Sequence, residues 1–412
     1  MNAHIKGTSD NSFWRTSEFF CFRQCLTRAA LLLSISLLIF SVGCRRAEPV
    51  ESESQQQIHV GGISWEIFRG DGALCGVAEG RLGEKLQLAW KFEATGQIKS
   101  SPVVSSEGKV YFGSTGGELF CVDVEDGAKV WSRDIGSAVE ASVLIAGGCA
   151  VVGCEDEKVY CMDALTGEVK WVFKTDDKVL GSANVFANDE GVMQVVFGCY
   201  DSFVYCVDLK SGELVWKYQT DSYVNGAQAI SDGIVVAGGC DAMLGVINAG
   251  SGKAVRQIDA GAYVAASAVI DGGKIFVGNY DDVFMCADVD SGEIVWRFEE
   301  AQGPIVSSAA VNGEVVIFGS KDRVLYCLDK STGEKRWGFR ANGGIDSCPV
   351  ICGDKVVVGC DDGRVYMVDI GSGEKVWEYD TGDGITSSAA IARGKVVIGC
   401  DDGSVYAFEE GK

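Results

Sequence analysis

Histidine is all but missing from this chain: there are 2 among 412 residues, His4 and His59, and none follows. A Ser-His-Asp hydrolase, an HExxH metalloenzyme and a C-x-x-C-H haem site are therefore excluded from everything beyond residue 59. A P-loop and a G-x-S-x-G nucleophile elbow are missing as well. Positive charge is scarce, with 36 Lys and Arg against 58 Asp and Glu and a net charge of -22, so the surface repels phosphate backbones and nucleic acid is not expected as a partner. Proline is rare, at 4 against 54 glycines, which describes a chain of many tight turns. Helical spacing is replaced by alternation, as in Val159-Tyr160-Cys161-Met162 and Val365-Tyr366-Met367-Val368.

What is present is one phrase repeated: an aspartate, two spacers, usually a Ser or Thr, a glycine, three spacers and a tryptophan. It starts at Asp123, Asp163, Asp208, Asp288, Asp329 and Asp369 and ends at Trp131, Trp171, Trp216, Trp296, Trp337 and Trp377, with a degraded copy from Asn248 to Arg256. The Asp accepts hydrogen bonds from backbone N–H groups further on and the glycine supplies positive φ, so each phrase predicts a tight corner between two strands.

From Trp90 the tryptophan positions advance by 41, 40, 45, 40 (to Arg256), 40, 41 and 40 residues, the period of a four-stranded propeller blade. Seven copies are complete, and an eighth stops at Lys412 without its fourth strand. Residues 86–92, around Trp90, supply the missing strand. The expectation is an all-β, eight-bladed β-propeller over residues 87–412, monomeric, with its sheet edges removed by closure. Within each blade the innermost strand is expected to carry an apolar residue, one variable residue and two small residues. The next hairpin is read as a two-residue turn, so that Asp362-Gly363 would pair Cys360 with Val365.

Ahead of the repeats, residues 1–43 read as an export segment: Lys6, Arg15, Arg23 and Arg28, then an apolar run over 29–40, then Ser41-Val42-Gly43-Cys44. Gly43-Cys44 resembles a lipobox, which makes Cys44 the expected lipid attachment site. An uncleaved anchor and ordinary secretion are the two other readings, the run being shorter than the roughly 20 residues of a span. Residues 44–62 are a polar linker and 63–86 an N-terminal extension.

The repeat resembles the tryptophan-docking motif of the pyrroloquinoline-quinone-like (PQQ-like) repeat propellers, a group that includes quinoprotein alcohol dehydrogenases and the outer-membrane assembly lipoprotein BamB. Asp, Gly and Trp match in six copies; Asn248, Arg256 and Asp126 depart from it, and the motif's small Ala is Cys at 121, 161, 206, 286 and 327. WD40 propellers share the period, but their Gly-His signature has no histidine here to match it. The enzymes of the group hold PQQ against a Cys-Cys disulfide beside a calcium ion, and this chain has no Cys-Cys pair. The resemblance therefore implies a non-enzymatic, BamB-like scaffold without cofactor or metal, facing the periplasm from a membrane. A PQQ-dependent oxidoreductase and a degenerate small-ligand sensor are the alternatives. Calcium at the paired acids Asp281-Asp282, Asp361-Asp362 and Asp401-Asp402 competes with their reading as hairpin turns.

Seventeen cysteines in an exported chain suggest disulfides, yet their positions along the strands place them as small fillers between blades. One variable position remains at the channel mouth: Lys99, Glu140, Leu180, Asn225, Ala265, Val306, Asp346 and Thr386. A basic or cation-rich protein partner is expected on the acidic face around it, with Lys99, Glu140, Asn225, Asp346 and Thr386 as candidate contacts.

Overall fold

The computed structural model describes residues 62–411, and every regular element in them is a strand. Eight sheets follow one another, each of four antiparallel strands, and one of them, blade seven, carries a fifth strand besides. Blade one runs Val103–Val104, Lys109–Gly113, Glu118–Asp123 and Lys129–Asp134 from the channel outward. Blades two to seven repeat that order, starting at residues 144, 184, 229, 269, 310 and 350. Blade eight takes its outer strand, Leu86–Glu93, from the N-terminal side; it pairs with Ser404–Glu410 from Leu86 opposite Glu410 to Glu93 opposite Ser404. Closure by an N-terminal strand is thus as expected from the repeat count.

The corners form for the reason the phrase suggests. In blade three Asp208 Oδ1 accepts from the N–H of Lys210 at 3.0 Å and of Ser211 at 2.7 Å, and the N–H of Gly212 donates to the Asp208 carbonyl at 2.8 Å. Gly212 sits at φ 73°, and a Cβ there would lie 2.7 Å from the Trp171 ring of the preceding blade. Aspartate, glycine and tryptophan are therefore one device: the corner of each blade is the seat for its neighbour's indole. Each indole N–H donates to the carbonyl after the corner aspartate, from Trp171 to Leu209 at 2.9 Å and from Trp90 to Val124 at 2.8 Å, a net contribution of about 1 kcal/mol apiece. In the degraded copy the Arg256 guanidinium replaces the indole, donating to the Ser291 carbonyl at 2.9 Å and to that of Asp290. Trp377 faces blade eight, which has no such corner, and packs edge-on against Phe408 instead.

A second joint lies on the opposite face. The second strand of each blade ends in glycine, or in blade two in Gly153-Cys154, because the next blade's aliphatic residue presses on that glycine: a Cβ on Gly113 would meet Val139 at 2.3 Å, and one on Gly399 would meet Ile98 at 2.4 Å. The same residues donate their N–H to the hairpin carbonyls, Val139 to Ser114 at 3.0 Å and Ile98 to Cys400 at 3.1 Å. This last bond ties blade one to blade eight and completes the ring.

Two expectations need correction. The stretch carrying the variable and small residues, such as 98–101, precedes the inner strand, which in blade one begins at Val103; its backbone is engaged across blades, not within its own sheet. The hairpin register is also shifted by one residue: Gly359, not Cys360, pairs with Val365. The loop has three residues, Asp361, Asp362 and Gly363, with Gly363 at φ 83° donating its N–H to the Cys360 carbonyl at 3.1 Å. A three-residue loop is chosen because its second residue has work to do. Asp362 Oδ1 accepts from the Arg364 N–H, and Oδ2 from the Tyr366 hydroxyl at 2.6 Å and the Asn342 N–H at 3.1 Å.

The register change gives the cysteines a polar role beside packing. Cys154 Sγ donates to the Ala138 carbonyl at 3.2 Å and Cys199 Sγ to that of Asp177 at 3.1 Å, at the position where Ser320 Oγ donates to Gly303 at 2.8 Å. All 14 cysteines among the described residues are free thiols. Burial pushes most of them up, Cys199 to about 12, away from the thiolate that disulfide exchange requires. Cys44 and the apolar run at 29–40 lie outside the described residues.

Candidate functional site

The channel is blind. Residues 62–79 travel around the inner end of the ring and bond to each blade in turn. Arg393 donates its N–H to the Gly62 carbonyl, Trp65 and Val104 exchange N–H···O bonds of 2.7 and 2.9 Å, and Ile145 donates to Glu66. Asn184 Nδ2 and Ile230 N–H both reach the Gly72 carbonyl; Ile270, Val311 and Ile351 donate to Ala73, Cys75 and Gly76. Val77–Ala78 then pairs in parallel with Ile351 and Cys352 as a fifth strand on blade seven. The strap turns this tightly because Arg69, Gly70, Leu74 and Gly76 all take positive φ. Arg69 is buried, 1 % exposed, and its guanidinium donates to the Pro349 carbonyl at 2.6 Å and to Ala309 at 2.5 Å.

Above the strap lies a funnel of about 180 Å³, with Phe68 as its floor. Its wall is a girdle of small residues, Ser101, Ser142, Ser182, Ala227, Ser267, Ser308, Cys348 and Ser388. Backbone N–H groups donate to the next blade's girdle side chain at Ser142→Ser182, Ala227→Ser267, Ser267→Ser308, Ser308→Cys348, Cys348→Ser388 and Ser388→Ser101, at 2.8 to 3.2 Å. These hydroxyls are structural acceptors and are not poised as nucleophiles, since no basic group reaches them.

The mouth carries two concentric variable rings. Lys99, Glu140, Asn225 and Thr386 line the funnel as expected, together with Leu180, Ala265 and Val306. Glu140 is paired with Lys99 at 3.1 Å, and Asp346 with Lys321, which also approaches Asp361 at 3.8 Å. Thr386 Oγ1 donates to Asp401 at 3.2 Å, and Asn225 Oδ1 accepts from the Tyr200 hydroxyl at 2.8 Å. The five candidates thus share one rim but do not converge on a common point. Burial raises the carboxyl pKa of Asp361, helped by repulsion from Asp346 and opposed by Lys321; burial likewise raises that of Asp401.

Sequence reasoning missed the outer ring, the first residue of each hairpin loop: Thr115, Glu155, Tyr200, Cys240, Tyr280, Lys321, Asp361 and Asp401. Their equivalence is set by one bond per blade, as when Tyr200 donates its N–H to the Lys178 carbonyl, Cys240 to Tyr223, Tyr280 to Tyr263 and Asp361 to Gly344. Several acids of this face hold the hairpins. Asp156, Asp201, Asp322, Asp362 and Asp402 each accept a tyrosine hydroxyl four residues on, at 2.6 to 2.7 Å. The D-x-x-x-Y spacing in five copies was the available signal. The strap was missed because it precedes the repeat; its own signal was Trp65, Phe68 and four glycines crowded into 62–76.

Two family models match the chain: the β-propeller of the beta-alanine-activating enzyme over residues 110–331, more than half of the chain, and the outer membrane protein assembly factor BamB over 287–412. The chain belongs to the PQQ-like repeat β-propeller family. Within it, the beta-alanine-activating enzyme of Homo sapiens is 27% identical over 128 residues, which is 30% of this chain and 11% of that enzyme. This propeller thus matches about a tenth of the relative's length. Among solved structures, BamB from Moraxella catarrhalis superposes with a TM-score of 0.66 at 19% identity, covering 79% of this chain and 98% of its own. Quinohemoprotein alcohol dehydrogenase from Comamonas testosteroni gives 0.72 at 14% identity, covering 85% and 81%. BamB and an alcohol dehydrogenase match this PQQ-like propeller comparably well, so the likeness carries the fold, and function rests on the site.

Proposed function

We propose that this PQQ-like propeller is a non-enzymatic scaffold of the cell envelope, tethered through a lipid on Cys44 and binding a protein partner with its open mouth, similar in kind to BamB. The observation that carries the reading is the blind funnel, whose polar groups are spent on one another while the rim above it varies from blade to blade. Rims that vary on a fixed frame are where partner recognition is written.

The oxidoreductase reading requires PQQ, a planar quinone with three carboxylates. The residues present do not suit it. The funnel, about 180 Å³, falls below the roughly 300 Å³ at which pockets for such ligands begin. A trianion would also meet Glu140, Asp346, Asp361 and Asp401, while Lys99 and Lys321 are already committed to acids. Among the described residues no group of three His, Cys, Asp or Glu is arranged to hold a metal ion.

Two measurements test the proposal. Titrating the purified protein with PQQ and calcium should leave the quinone's absorbance spectrum unchanged; a saturable shift would favour the enzyme. Affinity capture from solubilised membranes should retain a partner protein, and Cys44→Ser should release the propeller from the membrane fraction. Recovery of the wild type in the soluble fraction would remove the tether from the proposal.

A further inference from the structure

The open face is not uniform around the ring. Over blades three to five it carries Tyr200, Tyr223, Tyr263 and Tyr280, of which the last three are 49 %, 60 % and 48 % exposed. Tyr200 and Tyr223 stack with ring centroids 5.2 Å apart, and Lys178 Nζ lies 4.8 Å from the Tyr200 ring centroid. Tyr263 and Tyr280 are joined through their backbones, at the junction equivalent to the one that joins Tyr223 to Cys240. Single exposed aromatics are ordinary, but four on adjoining loops of one face form a contiguous patch, and tyrosine is the residue that interfaces favour.

The carboxylates of the same sector differ from those elsewhere on this face. Around blades six, seven, eight and one, several acids have cationic partners, Lys321 with Asp346 and Asp361, Arg364 with Asp362 and Asp380, Lys91 with Asp402, and Lys99 with Glu140, while Asp401 has the Thr386 hydroxyl and Asp322 that of Tyr326. In the tyrosine sector no lysine or arginine pairs with Asp221, Asp241, Asp259, Asp281 or Asp282, among the described residues. Ion pairs thus offset more of the acids in the first sector than beside the tyrosines, where Lys178 lies over Tyr200 and pairs with none of these five.

We propose that the tyrosine sector over blades three to five is a docking surface for a basic segment of a partner protein, in which lysine or arginine alternates with apolar residues. This rests on the scaffold reading and narrows it to one sector. The apolar residues of the segment lie on Tyr223, Tyr263 and Tyr280, and its cations face Asp221, Asp241, Asp281 and Asp282. Lys178 over Tyr200 shows, within the protein, the contact between ammonium and phenol ring that a partner lysine would make. Desolvated aromatic anchors supply most of the affinity in such an interface, and the unpaired charges set the association rate and its salt dependence.

Fluorescence anisotropy of the full-length protein with two labelled octapeptides of equal charge, alternating Lys-Leu and alternating Lys-Ser, tests this. The Lys-Leu peptide should bind about tenfold tighter. The double variant Tyr223→Ser/Tyr263→Ser should lose that preference with an unchanged melting temperature, both rings being surface groups. Asp281→Asn/Asp282→Asn should weaken both peptides and flatten the salt dependence, whereas Asp380→Asn, whose partner is Arg364 on blade seven, should change neither. Equal binding of the two peptides to the wild type, absence of binding by either, or a Tyr223→Ser/Tyr263→Ser variant that keeps the preference overturns the proposal. In that event membrane capture of a partner by the same variant still supports the scaffold reading, and failure of capture by the wild type sinks the scaffold reading separately.

Discussion

The two ends of the channel use the same eightfold frame for opposite ends. At the sealed end one strap visits every blade, and its bonds go largely to backbone atoms that any sequence would offer, so that end is uniform and its residues are needed for assembly. At the mouth one backbone bond per blade fixes each loop, and the side chain at that position is left free to differ, from Thr115 to Tyr200 to Asp401. The contrast teaches where to look for function in a repeat protein: at positions whose backbone is held and whose side chain is not.

The largest effect should come from removing what the N-terminal side contributes. Deleting residues 62–93 strips blade eight of its outer strand and the channel of its floor, and exposes the edge Ser404–Glu410. Light scattering should then show oligomers or aggregates; a monomer with an unchanged melting temperature would mean that the strap and strand are ornaments on a ring closed by other means. Next in size is Arg69→Ala at the sealed end, which leaves a cavity and withdraws two donors from buried carbonyls. It should cost about 3 kcal/mol in denaturant unfolding. The matching change at the mouth, Glu140→Gln, removes an exposed ion pair and should cost under about 1 kcal/mol. Equal losses at the two ends would dissolve the comparison.

The smallest effect is a difference in sign between the faces. At the corners of the sealed face the Lys355 ammonium and the Ser372 N–H lower the Asp369 carboxyl from 3.8 to about 2. Its folded pKa lies below the unfolded one, so its contribution is complete above about pH 4 and is lost as pH falls toward 2. At the mouth, burial raises Asp361, which therefore opposes folding at neutral pH and ceases to do so in acid. Melting curves between pH 7 and 2 should show Asp369→Asn flattening the loss below pH 4, and Asp361→Asn raising the melting temperature at pH 7 with the gain vanishing in acid. Curves parallel to the wild type for both variants would count against these assignments.

Much of this was legible in the chain itself. The phrase from Asp208 to Trp216 names its own corner, because an aspartate bonding forward two and three residues and a glycine at positive φ are local events. Eight blades followed from counting the repeats, and the strand around Trp90, which no repeat phrase precedes, matched the outer strand that the eighth copy needs. The inner candidates Lys99, Glu140, Asn225 and Thr386 were placed at the funnel by the same periodicity.

What the chain could not announce is whatever depends on two distant segments meeting. That Asp362 takes the Asn342 N–H and the Arg364 guanidinium while Asp281 has no cationic partner is set by which loops the ring brings together; both hairpin acids look alike in one dimension. Residues 62–79 carry no repeat and so no period to read, yet they encircle the channel, because only the assembled ring offers eight inner strands whose backbone groups need partners at once. The repeated sequence alone determined the blades, their number and their joints, since each is a local or next-neighbour contact. The closed floor, the uneven pairing of the rim acids, and the face left free to bind were decided by the tertiary structure, through contacts between residues as far apart in the chain as Arg69 and Pro349 or Gly62 and Arg393.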